Sequence, residues 1–416
     1  MTAILLFIYN FLFASLLIIL AIPAFIFSKR FRTELNYNLS ERFALIKPFV
    51  KENKKIIWFH CASLGEVRAI EPVLDKLKND FSIVLTVNTK TGREYAANIK
   101  DIAMVSLFPL DIYPLMLKFL DKVKPDLFIL VETELWASML YAAHKKKVKT
   151  VVVNARISDK TYNIYRKLGF FWKPLIGFID IVLARSKEDG DRFAFFSGGN
   201  MKVSVTGNIK YDRDFSLSAA REKMGLTESD IVFTAGSTRE GEERIIARVY
   251  KRIIAKYPDI KFFLAPRHIN RIDEIKTILD SMSIKYSLFS KAGAQNNFII
   301  IDTFGKLQDI YSVSDICFVG GSIVNKGGQN PIEPAAYAKP VLFGRYMQNF
   351  KTEADILLSY GGAVKVSTTV GLTRQILKLL SDKNMLKEMG ENALYAVKSQ
   401  RGAVSAATDK IKELLK

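Results

Sequence analysis

Glu66 closes the stretch HCASLGE (60–66), directly behind the apolar run Ile56-Ile57-Trp58-Phe59. Val67, Ile70, Val73, Leu74 and Leu77 then recur at helical spacing, so a strand passes through a small-residue turn into an amphipathic helix. A carboxylate in the first turn of a helix has two uses. It can simply offset the helix dipole. It can also stay ionised there, face a ligand and accept a proton from a substrate hydroxyl. Position alone leaves both open. Glu132 and Glu134 lie in VETELW (131–136), at the end of another strand. Alternation along an extended chain puts both on one side. Such a pair binds sugar hydroxyls or orients a cation, or one of the two caps the helix that begins near Trp136.

The second half offers anion chemistry. In AGSTREGEE (235–243), Gly236, Ser237 and Thr238 present N–H groups and hydroxyls to a phosphate, and Arg239 adds charge. The stretch matches neither a Walker loop nor G-x-G-x-x-G, and an ordinary Ser/Thr cap with acidic first-turn residues accounts for it as well. LAPRH (264–268) sets Arg267 and His268 behind a strand, for a phosphate or nucleotide, unless His268 is a loop histidine bonded to backbone. Gly320, Gly321 and Ser322 in FVGGS (318–322) form a turn where a ligand can approach the backbone. In GGQNPIEPAAYAKPVLFG (327–344), Asn330 reads as an N-cap and Pro331 as the first helical residue. The free N–H groups of that helix suit an anion, and Glu333, one turn in, suits a ribose diol. Asp212-Arg213-Asp214 spells a metal-binding DxD but falls between domains rather than at a strand end, so no metal site is assigned. Asp189 and Asp191 read as surface charges on a helix.

These residues need elements to carry them. Strand-like runs occur at 56–60, 83–87, 127–132, 150–155, 181–185 and 203–207, and again at 231–236, 261–266, 298–302, 316–321 and 340–344. Continuous apolar runs separated by helical patterns mark parallel sheets covered on both faces. The fold class is therefore α/β: two doubly wound Rossmann-like domains facing a cleft, with ligands at the carboxyl ends of the strands. The polar segment 208–229 separates the two series. The domains are an anchor over 1–28, an N-terminal domain over 29–210 and a C-terminal domain over 211–416, whose last helix is free to cross back.

Residues 3–27 carry no charge and exceed the ~18 residues that a bilayer span requires. Lys29, Arg30 and Arg32 follow this run, the reverse of a signal peptide, and the positive-inside rule then puts the rest of the chain in the cytoplasm. The alternatives are a buried core helix or an interfacial hairpin broken near Pro23. The formal net charge is +19, with 31 basic against 19 acidic residues in 1–210 and 30 against 23 beyond. This excess suits an anionic membrane or acidic substrate, and with no nucleic-acid motif present that partner is set aside. Two distant cysteines, Cys61 and Cys317, and three histidines give no disulfide framework or zinc spacing and fit a reducing compartment.

Taken together, the motifs resemble those of the Kdo transferases, which add 3-deoxy-D-manno-octulosonic acid to a lipid A precursor. The matching stretches are HCASLGE, VETELW, NARIS (154–158), SKEDG (186–190), VTGNIKYD (205–212), GSTREGEE (236–243), PRH (266–268), FVGGSIV (318–324) and the 327–344 segment. The resemblance runs from the anchor to near the C-terminus. It departs at Pro334 and Tyr337, and LSERFAL after the anchor matches only loosely. It implies a GT-B glycosyltransferase that is metal-independent, needs no cofactor, uses CMP-Kdo and inverts the anomeric centre. The N-terminal domain would bind lipid IVA and the C-terminal domain CMP. Glu66 would be the base, and Glu132, Glu134 and Arg156 acceptor or cleft residues. Lys210, Ser237, Thr238, Arg239, Arg267, His268, Gly320, Gly321, Ser322, Asn330 and Glu333 would lie on the donor side. The enzyme would sit at the cytoplasmic face of the inner membrane, on a single-pass or monotopic anchor, against anionic lipid. KLGFFWKPLIGF (167–178), with Lys167 and Lys173 among Phe170, Phe171 and Trp172, would touch that lipid, or form a buried helix pair. Another membrane-associated GT-B transferase or epimerase using a UDP-sugar would share this architecture. So would a binding module whose Glu66 only caps a helix.

Overall fold

The computed structural model describes residues 2–27, 37–49, 53–198, 201–212, 221–291 and 296–416. The expected basic flank Lys29, Arg30 and Arg32 lies outside these, as do Arg213 and Asp214. The chain forms two compact units, Met1–Arg213 with Arg401–Lys416, and Asp214–Gln400.

The first unit holds β1 (Ile56–Cys61), β2 (Ser82–Val87), β3 (Met104–Leu107), β4 (Leu127–Val131), β5 (Lys149–Ala155), β6 (Ile181–Ala184) and β7 (Lys202–Val205). They pair in parallel in the order β3-β2-β1-β4-β5-β6-β7. The second unit holds β8 (Val232–Thr238), β9 (Lys261–Pro266), β10 (Tyr286–Leu288), β11 (Phe298–Ile300), β12 (Ile316–Val319), β13 (Val341–Phe343) and β14 (Ala363–Lys365). Its order is β10-β11-β9-β8-β12-β13-β14, again parallel. Both sheets are doubly wound. Their strand order reverses between β1 and β4 in one and between β8 and β12 in the other, which is where such sheets bind ligands. The turns after these four strands are HCASLGE, VETELW, GSTREGEE and FVGGS.

The central strands β1, β2 and β4 are buried throughout, because helices cover both faces. Trp58 anchors one face, its ring 4.3 Å from Phe128 and 4.6 Å from Phe119, with its indole N–H donating to Thr86 Oγ1 at 2.8 Å. The final helix, Ala403–Leu415, packs Ala403, Val404, Ala407, Ile411 and Leu415 into the core beneath the first sheet. Asp212 caps it, accepting from the Gly402 N–H at 2.7 Å and from the Val404 N–H.

Thr2–Phe27 is one helix, with side chains described for residues 4–16 and 19. Leu6 is buried in the core of the first unit, while Ile4, Phe7, Ile8, Phe11, Leu12, Leu16 and Ile19 are exposed. Among the described residues no helix is long and apolar enough to cross a membrane. The 167–178 stretch divides at Leu168 between the helices Asp159–Lys167 and Gly169–Ile176. Leu175 and Ile176 are buried, Phe171 and Trp172 pack on the core, and Phe170 points outward.

Candidate functional site

In the first unit, Ser63 caps the helix Leu64–Leu77, accepting from the Glu66 N–H at 3.4 Å. The Glu66 carboxylate reaches back to Ser63 Oγ and to the N–H of Ala62, one residue before the cap, a variant of the capping box. The capping use of Glu66 is thus realised. Its expected ionised state is not. Burial, then the charges of Glu132 and Glu134, push its carboxyl up to about 8, against the pull of the Ala62 N–H and Lys210. Three half-buried carboxylates whose charges act on one another cannot all ionise cheaply, and this outweighs the helix terminus.

Glu132 does not continue the alternation of β4. Its φ is +62°, a left-handed turn that an L-residue rarely adopts, and it re-aims the side chain. Its carboxylate sits 2.6 Å from Lys210 Nζ. Burial drives its pKa upward, but the Lys210 ammonium and its hydrogen bond outweigh that and hold Glu132 below the usual range. Glu134 accepts from the Trp136 indole N–H at 3.2 Å, while burial and the charge of Glu132 raise its pKa. Neither glutamate caps the helix Ala137–Lys145. That helix has no cap of its own, and Asp111 supplies one, accepting from the Ser138 N–H at 3.1 Å and the Met139 N–H at 2.9 Å.

Lys210, expected among the donor residues, belongs to the first unit, on a short 3-10 turn, Ile209–Tyr211. Asn208 Oδ1 accepts its backbone N–H at 3.1 Å, and Asn154 Oδ1 accepts that of Ile209 at 3.2 Å. Arg156 follows β5, and its carbonyl accepts from Thr133 Oγ1, tying NARIS to VETELW. Two neighbouring polar residues are structural. His60 is buried, stacked on Phe108 at 3.9 Å, and pushed down to about 3 by burial, so it is neutral. Asp189 is buried rather than a surface charge. It accepts from the Ile157 N–H at 2.9 Å, Arg185 Nε at 3.0 Å and Ser186 Oγ at 2.6 Å. Asp191 is exposed, as expected.

In the second unit the expected backbone cradle is already filled from within. Glu242 is fully buried and accepts from the N–H groups of Arg239 at 2.9 Å, Gly321 at 2.6 Å, Ser322 at 2.9 Å and Ile323 at 2.9 Å. The Ser322 hydroxyl donates to the Val319 carbonyl and accepts from the Gly344 N–H at 2.8 Å. Gly320 donates to the Gly236 carbonyl at 2.8 Å, and a Cβ on it would stand 2.6 Å from the Ser237 carbonyl. The glycine is there because two strand ends meet. Ser237 has φ +55°, and Thr238, still in β8, is buried.

Side chains are what this unit offers an anion. Arg239 Nη1 lies 2.6 Å from His268 Nε2. Arginine only donates, so this ring nitrogen accepts and His268 carries its proton on Nδ1. Burial, then the charge of Arg267, lowers the Arg239 pKa, with Arg271 adding to it. Arg271 is held by Glu243 and Glu274, each at 2.8 Å, whereas Arg267 and His268 are exposed. The helix expected at Asn330 spans only Ile332–Ala336, with Pro331 just before it. Asn330 Oδ1 takes the Ile332 N–H at 3.1 Å, and its Nδ2 lies 3.4 Å from Glu333 Oε1.

Asp111, Glu242, Glu243 and Arg271 escaped the motif reading. Glu242 and Glu243 stand inside GSTREGEE but look like first-turn acids, and only the fold brings the turn after β12 onto Glu242 and Arg271 onto Glu243. Arg271 follows PRH by three residues, a spacing with no chemistry of its own.

Residues 37–213 match the family model described as 3-deoxy-D-manno-octulosonic-acid transferase (kdotransferase). The chain is 31% identical over 371 residues to the 3-deoxy-D-manno-octulosonic acid transferase of Haemophilus influenzae, covering 86% of this chain and 87% of that protein. It is 32% identical over 411 residues to a bifunctional glycosyltransferase/methyltransferase of Fusobacterium nucleatum, covering 93% of this chain but 63% of that longer protein. Among solved structures, UDP-GlcNAc 2-epimerase from Neisseria meningitidis superposes with a TM-score of 0.61 at 17% identity, over 87% of this chain and 99% of that one, a likeness of fold. With the motifs set at both switch points and a relative this similar along nearly its whole length, the chain belongs to the 3-deoxy-D-manno-octulosonic acid transferase family.

Proposed function

We propose that this chain moves Kdo from CMP-Kdo onto a lipid A precursor, lipid IVA, with inversion, in lipopolysaccharide synthesis. The observation that carries the reading is the acidic cluster at the switch point of the first sheet. Glu66 keeps its proton to about 8, while Glu132 beside it is ionised and paired to Lys210. A base whose pKa lies near the working pH takes a hydroxyl proton better than an ordinary carboxylate. At pH 7 roughly a tenth of Glu66 is ionised in the free protein, and an acceptor hydroxyl that donates to this fraction stabilises it. Attack on the face opposite CMP then inverts the ketosidic carbon. As the ketosidic C–O bond breaks, the phosphodiester monoanion of the donor departs as the CMP monoester dianion, so the donor side chiefly needs positive charge, which Arg239 and Arg267 supply. The exposed apolar residues of the Thr2–Phe27 helix, with Phe170 and Lys173 of the Gly169–Ile176 helix, support attachment to an anionic membrane on its cytoplasmic face.

Mass spectrometry of lipid IVA after incubation with the full chain and a CMP-Kdo supply tests this reading. The expected product is heavier by one or more Kdo residues. Unchanged lipid IVA with folded protein and intact CMP-Kdo would overturn it, and equal affinity for CMP and UDP would remove the donor assignment.

A further inference from the structure

Two adjacent polar side chains of the mostly apolar N-terminal helix, Tyr9 and Asn10, bond to the first unit beside the carboxylate cluster. The Tyr9 hydroxyl donates to Asp111 Oδ2 at 2.9 Å. Asn10 Oδ1 accepts from the Tyr113 N–H at 2.7 Å and from Ser138 Oγ at 3.3 Å. Asp111 is 1% exposed, so its bonds form away from water.

These bonds land on two helix starts that lack caps. Tyr113–Val123 begins at Ile112 and Ala137–Lys145 at Trp136, and neither Ile112 nor Trp136 makes a side-chain cap bond. Orphan N–H groups in a first turn must be satisfied from elsewhere. Asn10 serves the first of these helices. Asp111 serves the second, accepting from Ser138 and Met139, and its backbone carbonyl accepts from Ser138 Oγ at 2.9 Å. The residue at the head of that second helix is Trp136, whose indole holds Glu134 at 3.2 Å. Glu134 in turn loads the Glu66 carboxyl. Hydrogen bonds therefore run from Tyr9 through Asp111 to the first turn of Ala137–Lys145, the backbone of that turn leads to Trp136, and the Trp136 indole bonds Glu134.

We propose that the N-terminal helix, besides attaching the chain to a membrane, is a working part of the acceptor half-site, with Tyr9 and Asn10 as positioning residues that hold the Trp136–Glu134 arm in place. The inference rests on the transferase reading for its consequence in turnover but not for its structural content. Tyr9 is also stacked on Phe13 and tilted against Phe171, each with centroids 5.7 Å apart, so Tyr9→Phe removes the hydroxyl and keeps the ring packing.

The test is the full-length Tyr9→Phe/Asn10→Leu double variant in detergent micelles, compared with wild type. Amide exchange at Ser138 and Met139 should quicken by roughly tenfold or more, since the Tyr9 bond that holds their acceptor Asp111 and the Asn10 bond to the Ser138 hydroxyl are both gone. Exchange at the Glu66 amide, capped locally by Ser63, should not change. Turnover per folded molecule should fall by about tenfold with the KM for the sugar donor unchanged. Unaltered exchange at Ser138 and Met139 would overturn the coupling. Faster exchange with unaltered turnover would reduce Tyr9 and Asn10 to helix caps. The exchange measurement needs no substrate, so it stands even if wild type transfers no Kdo, whereas that failure would refute the transferase reading alone.

Discussion

Replacing Glu66 by glutamine should stabilise the first unit while destroying turnover, and the stabilisation should depend on pH in a defined way. The ordinary glutamate value is 4.5 and the folded value about 8. Between these the folded chain holds a proton that the unfolded chain has released. The stability due to that proton is full below about 4.5 and is lost as pH rises to about 8, at about 1.4 kcal/mol per pH unit. By pH 7 wild type has lost roughly 3 kcal/mol that Glu66→Gln, which cannot ionise, retains. All three tryptophans, Trp58, Trp136 and Trp172, lie in the first unit, so their fluorescence reports its unfolding alone. In urea titrations at pH 5 and pH 7, the gap between variant and wild type should widen by about 2–3 kcal/mol from the lower pH to the higher. In the same preparation turnover should drop on the order of a hundredfold or more, with CMP binding intact. The wild-type kcat/KM should climb about tenfold per pH unit and level near pH 8, while the residual rate of the variant stays flat. A stability gap that does not change with pH would refute the argument that neighbouring carboxylates and burial load Glu66. A variant with near-wild-type turnover would leave Glu66 a capping residue.

Three further substitutions follow from the same geometry. Lys210→Met leaves Glu132 buried without its cation, so tryptophan-monitored unfolding should show a loss of about 3–5 kcal/mol. The remaining activity should need higher pH, because Lys210 also draws the Glu66 pKa down. Glu242→Ala strands four backbone N–H groups where the ends of β8 and β12 meet, and calorimetry should show the second unit destabilised by at least ~3 kcal/mol with CMP binding lost. An unchanged second transition would mean that water replaces the carboxylate freely. Glu333→Ala should weaken CMP roughly tenfold to a hundredfold and erase the preference for CMP over its 2′,3′-dideoxy analogue, since two charge-assisted bonds to a diol are lost. Titration calorimetry with wild-type affinity for both ligands would remove Glu333 from the ribose.

What could be read from the sequence divides along a physical line. Ten of the eleven strands read from the sequence announce themselves because parallel strands covered on both faces are apolar throughout, and the eleventh, β7, is a partly exposed edge strand. The three that do not, β3, β10 and β14, all lie at sheet edges. Their residues are partly solvated, so the continuous apolar run that gives the others away is not required of them.

The site divides in a similar way. Small residues and a carboxylate behind a strand locate HCASLGE and VETELW, since that order of residues is local. The protonation of Glu66 is not local. It depends on Glu132 and Glu134 arriving from another strand end and on the left-handed turn that aims Glu132 at Lys210. The expected donor side misled for the converse reason. A glycine-rich turn reads as a phosphate cradle only while its N–H groups are taken to be unoccupied. Glu242, 79 to 81 positions earlier in the chain, occupies three of them. A buried carboxylate that fills an anion-shaped nest fixes the two strand ends against each other, and Arg239, drawn in by its own N–H bond to the same carboxylate, is held beside His268. The nest then positions the Arg239 guanidinium rather than a ligand.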